Sequence, residues 1–516
     1  MAGSLEFGVV MGRARPQAHT PGAEAGEDEV FQILVLGDFS GRPLAEADPW
    51  HARLTQTVDI DNFDAVLAQM TAGVRLSLPG AQGATVEPTL RSIEDFEPDA
   101  LVAQLAMFKQ LRGWRARLGD SASFAAAAAE LSTSGLVAAA SPSAQAGAED
   151  DDDTLARLLG RPAATSLPLP PASPVRHGAA SAVSTSLDPL LRSLLAPHIQ
   201  PDMSHLQRPM VEAVDRAIGD AMRLLLRLPA WRALESAWRS VDHFVRTVDS
   251  SIVGLSLLDA RAEELQAEMA GASADLSASG LARALAQRVQ RDGPTARPAL
   301  VVALYAFGPS AADLALLGAL AAVCVQQGAV LLASAAPTLL APEPEWASGS
   351  AGVASANAGE DQARWLALRA SWMAGHIGLV YPRVLARLPY GPKTHPVSAF
   401  DFDELADGFN HERLAWRGAA LDAAAVLAAA HADAGGHFDP NAHRMLGEYP
   451  AFTDRSGSSN RAQAGAEFYC SERQLAAIAA QGLIAVLSDA RSPQLRLSAW
   501  RSIATDGSPL RGRWQP

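Results

Sequence analysis

Cysteine is nearly absent from this chain. Cys324 and Cys470 are its only two in 516 residues, far too few for a disulfide framework, and this points to a reducing compartment. Lysine is equally scarce, with only Lys109 and Lys393. Arginine therefore carries nearly all the positive charge, and the balance is acidic, at −14. Binding to a phosphate backbone needs clustered Lys and Arg, so this balance argues against a nucleic-acid partner. The first residues hold no apolar run long enough for a secretory signal core. The most apolar stretch, residues 314–336, is interrupted by Gly318, Cys324, Gln326, Gln327 and Gly328. It predicts a buried helix followed by a buried strand, with no insertion into a membrane. These features, and a length sufficient for more than one core, place the protein in the cytoplasm as a large soluble chain.

Signatures of chemistry are missing as well. Gly37-Asp38-Phe39-Ser40-Gly41 follows an apolar run and invites a phosphate-loop reading. It lacks the Gly-Lys-Ser/Thr ending of a P-loop and the third glycine of a dinucleotide fingerprint, so a tight strand-exit turn is the better reading. His431, His437 and His443 recur every six residues among Asp433 and Asp439. Metal sites favour closer pairs on one element, so this reads as a polar loop. Cys470 has no adjacent His or Cys and reads as a small buried residue. No Gly-x-Ser-x-Gly and no His-Glu-x-x-His occurs. The sequence offers no catalytic, cofactor or metal site, and no enzyme is expected.

What the chain does contain is an alternation of strand and helix signals. Residues 1–29 are Gly-, Ala- and Glu-rich and predict a disordered N-terminus. Val30–Leu36 is a β-branched apolar run, a buried strand. A short strand (Thr55–Ile60), a helix over Asn62–Met70, two half-buried strands (Val74–Leu78, Thr85–Leu90) and helical periodicity from Pro98 to Leu118 follow, with an Ala-rich helix over Ser123–Leu131. Ser92-Ile-Glu-Asp95 has capping-box spacing. Residues 30–133 thus form a first domain. Residues 134–186, with Glu149-Asp-Asp-Asp-Asp153 and Leu167-Pro-Leu-Pro-Pro171, bury too little apolar surface to order and predict a flexible linker, with a weak helix at Thr154–Leu159.

A second domain spans 187–516. It opens with an amphipathic Leu187–His198. A long helical region, 207–248, is interrupted at Pro229, and Trp231 and Trp238 share one face there and should be buried. Strands are expected at Ile252–Leu258, Pro298–Phe307, Val330–Ala335, Ile377–Val380, Ala466–Cys470, Ile484–Leu487 and about Ala499–Ile503. Helices are expected at Ala260–Ala270, Ser279–Gln290, Ala311–Gln327, Glu360–Met373 (Trp365, Leu368 and Trp372 on one face), Leu414–Ala430 and Glu472–Gln481. The fold class is α/β (α+β), with mixed sheets flanked by helices.

Arg387-Leu-Pro-Tyr-Gly-Pro-Lys-Thr-His-Pro-Val-Ser-Ala-Phe-Asp-Phe-Asp-Glu404 is too rich in proline for a helix and too specific for a linker. It reads as an ordered, buried loop joining two layers. Tyr390, Lys393, Phe400, Asp401 and Phe402 are its candidate interaction residues, alongside Trp231, Trp238, Asp38 and Phe39. Lys393 can pair with Asp401 or Asp403, and its charge reversal is expected to disturb folding or assembly.

Two parts of the chain resemble a known pair of proteins. FQILVLGDFSGRP (31–43), VDIDNFDAVLAQM (58–70) and LRSIEDFEPDALVAQLAMFKQLRGWRARL (90–118) resemble the small subunit of the bacterial type VI secretion contractile sheath. LPAWRALESAWR (228–239), AVLLASAAPTLL (329–340) and 387–404 resemble its large subunit. Residues 291–297 and 349–359 depart from the large-subunit pattern, and the chain stops near Trp514 where that subunit continues. The resemblance implies a structural protein that assembles around an inner tube and contracts to drive translocation. Its implied partners are other sheath protomers, tube and baseplate proteins and a disassembling AAA+ ATPase. A non-polymerising accessory or adaptor of the sheath or baseplate is the alternative it allows.

Overall fold

A strand that is apolar on both faces must be covered on both sides, and Phe31–Gly37 is such a strand: every residue but Gln32 is buried. The computed structural model describes residues 30–43, 46, 48–78, 85–133, 207–272, 275–340, 358–454, 461–489 and 492–514. In chain order its strands are β1 (Phe31–Gly37), β2 (Gln56–Val58), β3 (Leu76–Ser77), β4 (Thr85–Val86), β5 (Val253–Asp259), β6 (Leu300–Phe307), β7 (Val330–Ala335), β8 (Ile377–Tyr381), β9 (Val384–Leu385), β10 (Trp416–Arg417), β11 (Met445–Glu448), β12 (Phe452–Asp454), β13 (Arg461–Gln463), β14 (Ile484–Asp489) and β15 (Ser492–Leu497). The helices are α1 (Phe63–Met70), α2 (Pro98–Gln104), α3 (Ala106–Gly119), α4 (Phe124–Thr133), α5 (Gln207–Leu226), α6 (Pro229–Thr247), α7 (Ala262–Gly271), α8 (Gly280–Asp292), α9 (Ala311–Gln326), α10 (Ala358–Arg369), α11 (Ala420–Ala434) and α12 (Glu472–Ala480). The expected Thr154–Leu159 and Leu187–His198 helices, the linker over 134–186 and the N-terminal 1–29 lie outside the described residues.

Nine strands form one mixed sheet in the order β11-β15-β14-β8-β7-β6-β1-β5-β2. Its six central strands, β14 to β5, are all parallel, and the antiparallel pairs lie at its two ends. β1 sits between two strands that follow it by more than 200 residues. It pairs with β5 from Phe31↔Val253 to Gly37↔Asp259, and with β6 from Ile33↔Leu300 to Leu36↔Ala303. One face of the sheet packs on the layer to which α7, α8, α9 and α10 belong, with Leu34, Leu36, Val301, Ala303, Leu331 and Leu379 in that core. The other face receives α11, which lies on β1, β6, β7 and β8 and against α6. The alanines of α11 allow this close approach to the strands.

Among the described residues, one compact unit holds 30–77, 85–105 and 222–514, and another holds Leu78, 106–133 and 207–221. Within the smaller unit α3 packs on α4. Arg115 pairs with Asp215 and Arg117 with Glu130, and the Gln207 amide donates to the Gly119 carbonyl at 2.8 Å.

Four expectations change. The strand expected at Ala466–Cys470 is a single bridge between Val384 and Ala466. There the Gln463 amide donates to the carbonyls of Ala464, Ala466 and Glu467, which a ladder would otherwise occupy. The last strand is Ser492–Leu497, not 499–503: Leu495 and Leu497 point inward between exposed Gln494 and Arg496. Residues 499–503 are anchored differently, with Trp500 donating to the Asn441 side chain and the His443 carbonyl. The helix expected to reach Met373 stops at Arg369, which leaves Trp365 fully buried and Trp372 52% exposed. The Leu414 helix begins only at Ala420, because Trp416–Arg417 pairs with Val384–Leu385. The Ser92 capping box forms as spaced, though on a 3-10 turn, Ile93–Phe96.

With β1 bonded on both edges, the two sides of the chain should not need their covalent connection to stay together. A protease site placed within residues 134–186 and cleaved should leave two fragments that co-elute in native buffer and separate only in denaturant. Elution of free fragments without denaturant would rule the inserted strand out.

Candidate interaction site

Pro229 at the first turn of α6 has a missing N–H that costs nothing there, and the apolar period behind it commits one face to burial. That face carries Trp231 and Trp238, both fully buried. Aromatic rings from the N-terminal segment pack against them. Phe39 and Phe63 meet Trp238 edge-on at centroid distances of 5.4 and 5.7 Å, and Phe96 meets Trp231 at 5.1 Å. Each such pair contributes about 0.5–1.5 kcal/mol beyond its buried area. The Trp238 indole also donates to the Phe39 carbonyl at 3.0 Å.

Gly37–Gly41 is a built turn at the carboxyl end of β1. The Asp259 carboxylate, at the end of β5, accepts from the Phe39 and Ser40 amides at 2.8 and 3.1 Å. Asp38 accepts from the Gly41 amide at 2.9 Å and lies 3.2 Å from Arg261. Burial raises the Asp38 carboxyl above its ordinary value, and Arg261 opposes that rise. Gly41 has φ +58°, and a Cβ there would stand 2.7 Å from the Val74 side chain. The turn needs glycine at that position.

The stretch from Arg387 to Glu404 is pinned at its ends and exposed in its middle. Arg387 is buried and forks between two buried carboxylates: Glu235 of α6 at 2.7 Å, and Glu404 at 2.7 and 3.2 Å. Arg239, one helical turn beyond Glu235, donates to the same Glu235 oxygen at 2.8 Å and to the Tyr390 hydroxyl at 3.2 Å. The Tyr390 amide donates to Glu404 at 2.9 Å, and the Arg387 guanidinium lies over the Tyr390 ring at 4.0 Å. Two cations thus balance two carboxylates. Burial alone would raise the Glu235 carboxyl, but Arg387 and Arg239 outweigh it and hold the group below its ordinary value. The same loop reaches the N-terminal segment, where Asp99 accepts from the Ser398 and Ala399 amides at 2.7–3.0 Å. Phe402 is buried beside Phe400, and Arg223 lies over its ring.

Trp231, Trp238, Phe39, Tyr390 and Phe402 are all buried, and of these Phe39 and Trp238 meet ring to ring. Asp38 stands apart at the strand-exit turn. Lys393 and Asp401 are exposed and Phe400 half-exposed. Among the described residues Lys393 forms no ion pair, and Asp403 accepts from the Leu405 amide instead. The buried cation of the loop is Arg387, at its first position, and not Lys393. Its signal was present: Glu235 and Arg239 stand four and eight residues after Trp231, beside the helix face expected to be buried.

A second buried charge pair joins β10 to α11. Arg417 forks onto Asp422, the Tyr449 hydroxyl donates to Asp422 at 2.5 Å, and the His243 Nε2 lies 3.5 Å from it. Burial pushes His243 below its ordinary value, against the pull of Asp422. His431, His437 and His443 do not converge. His431 packs on the Phe31 ring and His443 lies 3.7 Å from Asp433. Among the described residues no group of three or more His, Cys, Asp or Glu side chains could hold a metal ion. Cys324 is buried and Cys470 half-buried.

Arg387→Met should cost about 3–5 kcal/mol, because it leaves Glu235 and Glu404 buried without their shared partner. Lys393→Glu should shift stability by under about 0.5 kcal/mol, as exposed sites do. Equal losses for the two in urea melts would remove the buried network as the anchor. His243 titrates with a lowered folded value, so its contribution is held above the unfolded value of 6.5 and lost as pH falls through it. The parent should thus lose more thermal stability than His243→Asn between about pH 8 and pH 5. Identical pH profiles would show that His243 carries no such linkage.

Comparison with known proteins bears on the same segments. Residues 208–504, more than half of the chain, match the family described as "EvpB/VC_A0108, tail sheath N-terminal domain". Residues 17–133 match "Type VI secretion system, VipA, VC_A0107 or Hcp2". Among curated proteins, the chain is 28% identical over 217 residues to the type VI secretion system sheath protein TssC1 of Pseudomonas aeruginosa, covering 41% of this chain and 43% of that protein. It is 28% identical over 103 residues to the sheath protein TssB1 of the same organism, covering 19% of this chain and 60% of that protein. The chain thus spans less than two thirds of each relative's length. No helix among the described residues is long and apolar enough to cross a membrane. The chain belongs to the type VI secretion tail sheath family, as a sheath structural protein whose small-subunit (VipA) and large-subunit (VipB) parts are fused in one polypeptide.

Proposed function

We propose that this chain is a building block of the sheath itself, assembling around an inner tube in the cytoplasm and contracting to drive protein translocation. The observation that carries this reading is β1. A strand from the VipA-like part completes the sheet of the VipB-like part between β5 and β6. A protomer of this kind needs both parts, and the fusion supplies them in a 1:1 ratio at high effective concentration. Residues 30–133 are the small-subunit-like portion and 187–516 the large-subunit-like portion. The exposed middle of the 387–404 loop, with Lys393 and Asp401, is a surface for neighbouring protomers. Tube and baseplate proteins and a AAA+ disassembling ATPase are the further partners of this reading, and it needs no catalytic group or cofactor.

Electron microscopy of the purified protein, alone and with a tube protein, tests it: ordered tubes are expected, and fewer of them from Lys393→Glu at unchanged melting temperature. A chain that stays monomeric in both conditions would sink this reading and favour a non-polymerising adaptor that docks on the sheath or baseplate.

A further inference from the structure

A cavity of about 220 Å³ opens beside the Arg417–Asp422 pair, between α6, α11, β11 and the start of β5. It is too small for a drug-sized ligand, whose pockets run to roughly 300–1,000 Å³, and has room for one large side chain. Its walls are mainly apolar, with the short Ala425 and Ala429 of α11 beside Val253 and Leu446, and His243, Asp422 and Tyr449 line it too. Two exposed carboxylates, Asp249 and Asp433, line it as well. His443 lies 3.7 Å from Asp433 and neutralises it only when protonated. The pocket therefore suits a bulky apolar side chain with a cation beside it.

The chain carries such a side chain elsewhere on its surface. Of the described tryptophans only Trp372 is exposed, at 52%. It stands on the turn after α10, in the helical layer that includes α7 to α10, whereas the cavity lies on the α6–α11 side. Three residues after it, Gly375 accepts a hydrogen bond from the backbone amide of Arg511 at 2.8 Å. The Arg511 side chain packs against Gly375 and is exposed. Trp372 and the cavity are on different surfaces of one molecule, so one copy cannot satisfy its own knob. A knob on one surface that fits a socket on another makes a heterologous contact, and heterologous contacts that do not close give helical filaments.

We propose that Trp372 of one copy inserts into the Ala425/Ala429 pocket of the next, with Arg511 set against Asp249 and Asp433. This rests on the proposed self-assembly and names one contact within it. A tryptophan seated in a pocket and flanked by a charge pair has the make-up of an interface hot spot.

The test uses the full-length chain and the critical concentration for assembly, read by light scattering and sedimentation. Trp372→Ala removes the knob. Ala429→Phe fills the socket from an exposed helix position and so should not disturb the core; circular dichroism checks both. Each should raise the critical concentration on the order of 30-fold, the size of a lost hot spot. The Trp372→Ala/Ala429→Phe double variant should raise it no further, because both remove the same contact. A parent that assembles while Trp372→Ala assembles equally well overturns this contact and leaves the proposed function standing. Additive effects in the double variant overturn it too, since they assign the residues to separate contacts. A parent that never assembles overturns both readings.

Discussion

The place of β1 in the sheet is the constraint on which the rest of the fold depends. β5 and β6 lie on its two sides, so without it the sheet has a gap at its centre. Each would then present a row of unpaired amides and carbonyls in a region covered on both faces by helices. The parallel core can only be complete when the N-terminal segment is in place. The aromatic contacts follow from the same insertion. Once β1 ends at Gly37, its exit turn carries Phe39 to Trp238, and α1 brings Phe63 against the same indole.

The Arg387–Glu235–Glu404–Arg239 network does something apolar packing would not. Buried ion pairs add little net stability compared with well-packed apolar side chains, because desolvation of each charge offsets the attraction. Their geometry is nonetheless specific: the Arg387 fork fits one arrangement of Glu404, Glu235 and the Tyr390 backbone. A loop with three prolines has few ways of its own to hold a defined shape against a helix. The network holds both ends of the loop against α6, and Asp99 fixes its outer arm to the N-terminal segment. The stretch from Pro392 to Asp401 is thus carried on rigid supports at both ends.

Much of the local structure was legible because it rests on local physics. The run of β1, the break at Pro229 and the 3.6-residue period that buries Trp231 and Trp238 each follow from residue spacing. The errors fall where a side chain rather than a ladder satisfies the backbone, as at Gln463 and Trp500, or where a helix ends early, as before Trp372. Strand order was not legible at all. Nothing in FQILVLG says that its neighbours lie more than 200 residues away, since a parallel buried strand looks the same in any register. The site was half legible for a related reason. Aromatic residues announced themselves by composition, but Arg387 looked like any other arginine in an arginine-rich chain. Lys393 drew attention by its rarity, which is a property of the composition and not of the fold.

Covalent fusion changes the physics of assembling such a sheet. In two separate chains, insertion of β1 would be a bimolecular step whose extent depends on concentration. In one chain it becomes a loop closure, and the cost of a longer loop grows only logarithmically, about 0.6 kcal/mol per doubling. Closure over more than 200 residues is slow, because long-range parallel pairing is formed late and at high entropic cost. The central strand is also the first to be made, so it must wait for β5 and β6 while its apolar faces are uncovered. The composition of the chain is consistent with managing that interval: a net charge of −14 disfavours association between unfinished copies while the sheet is being closed.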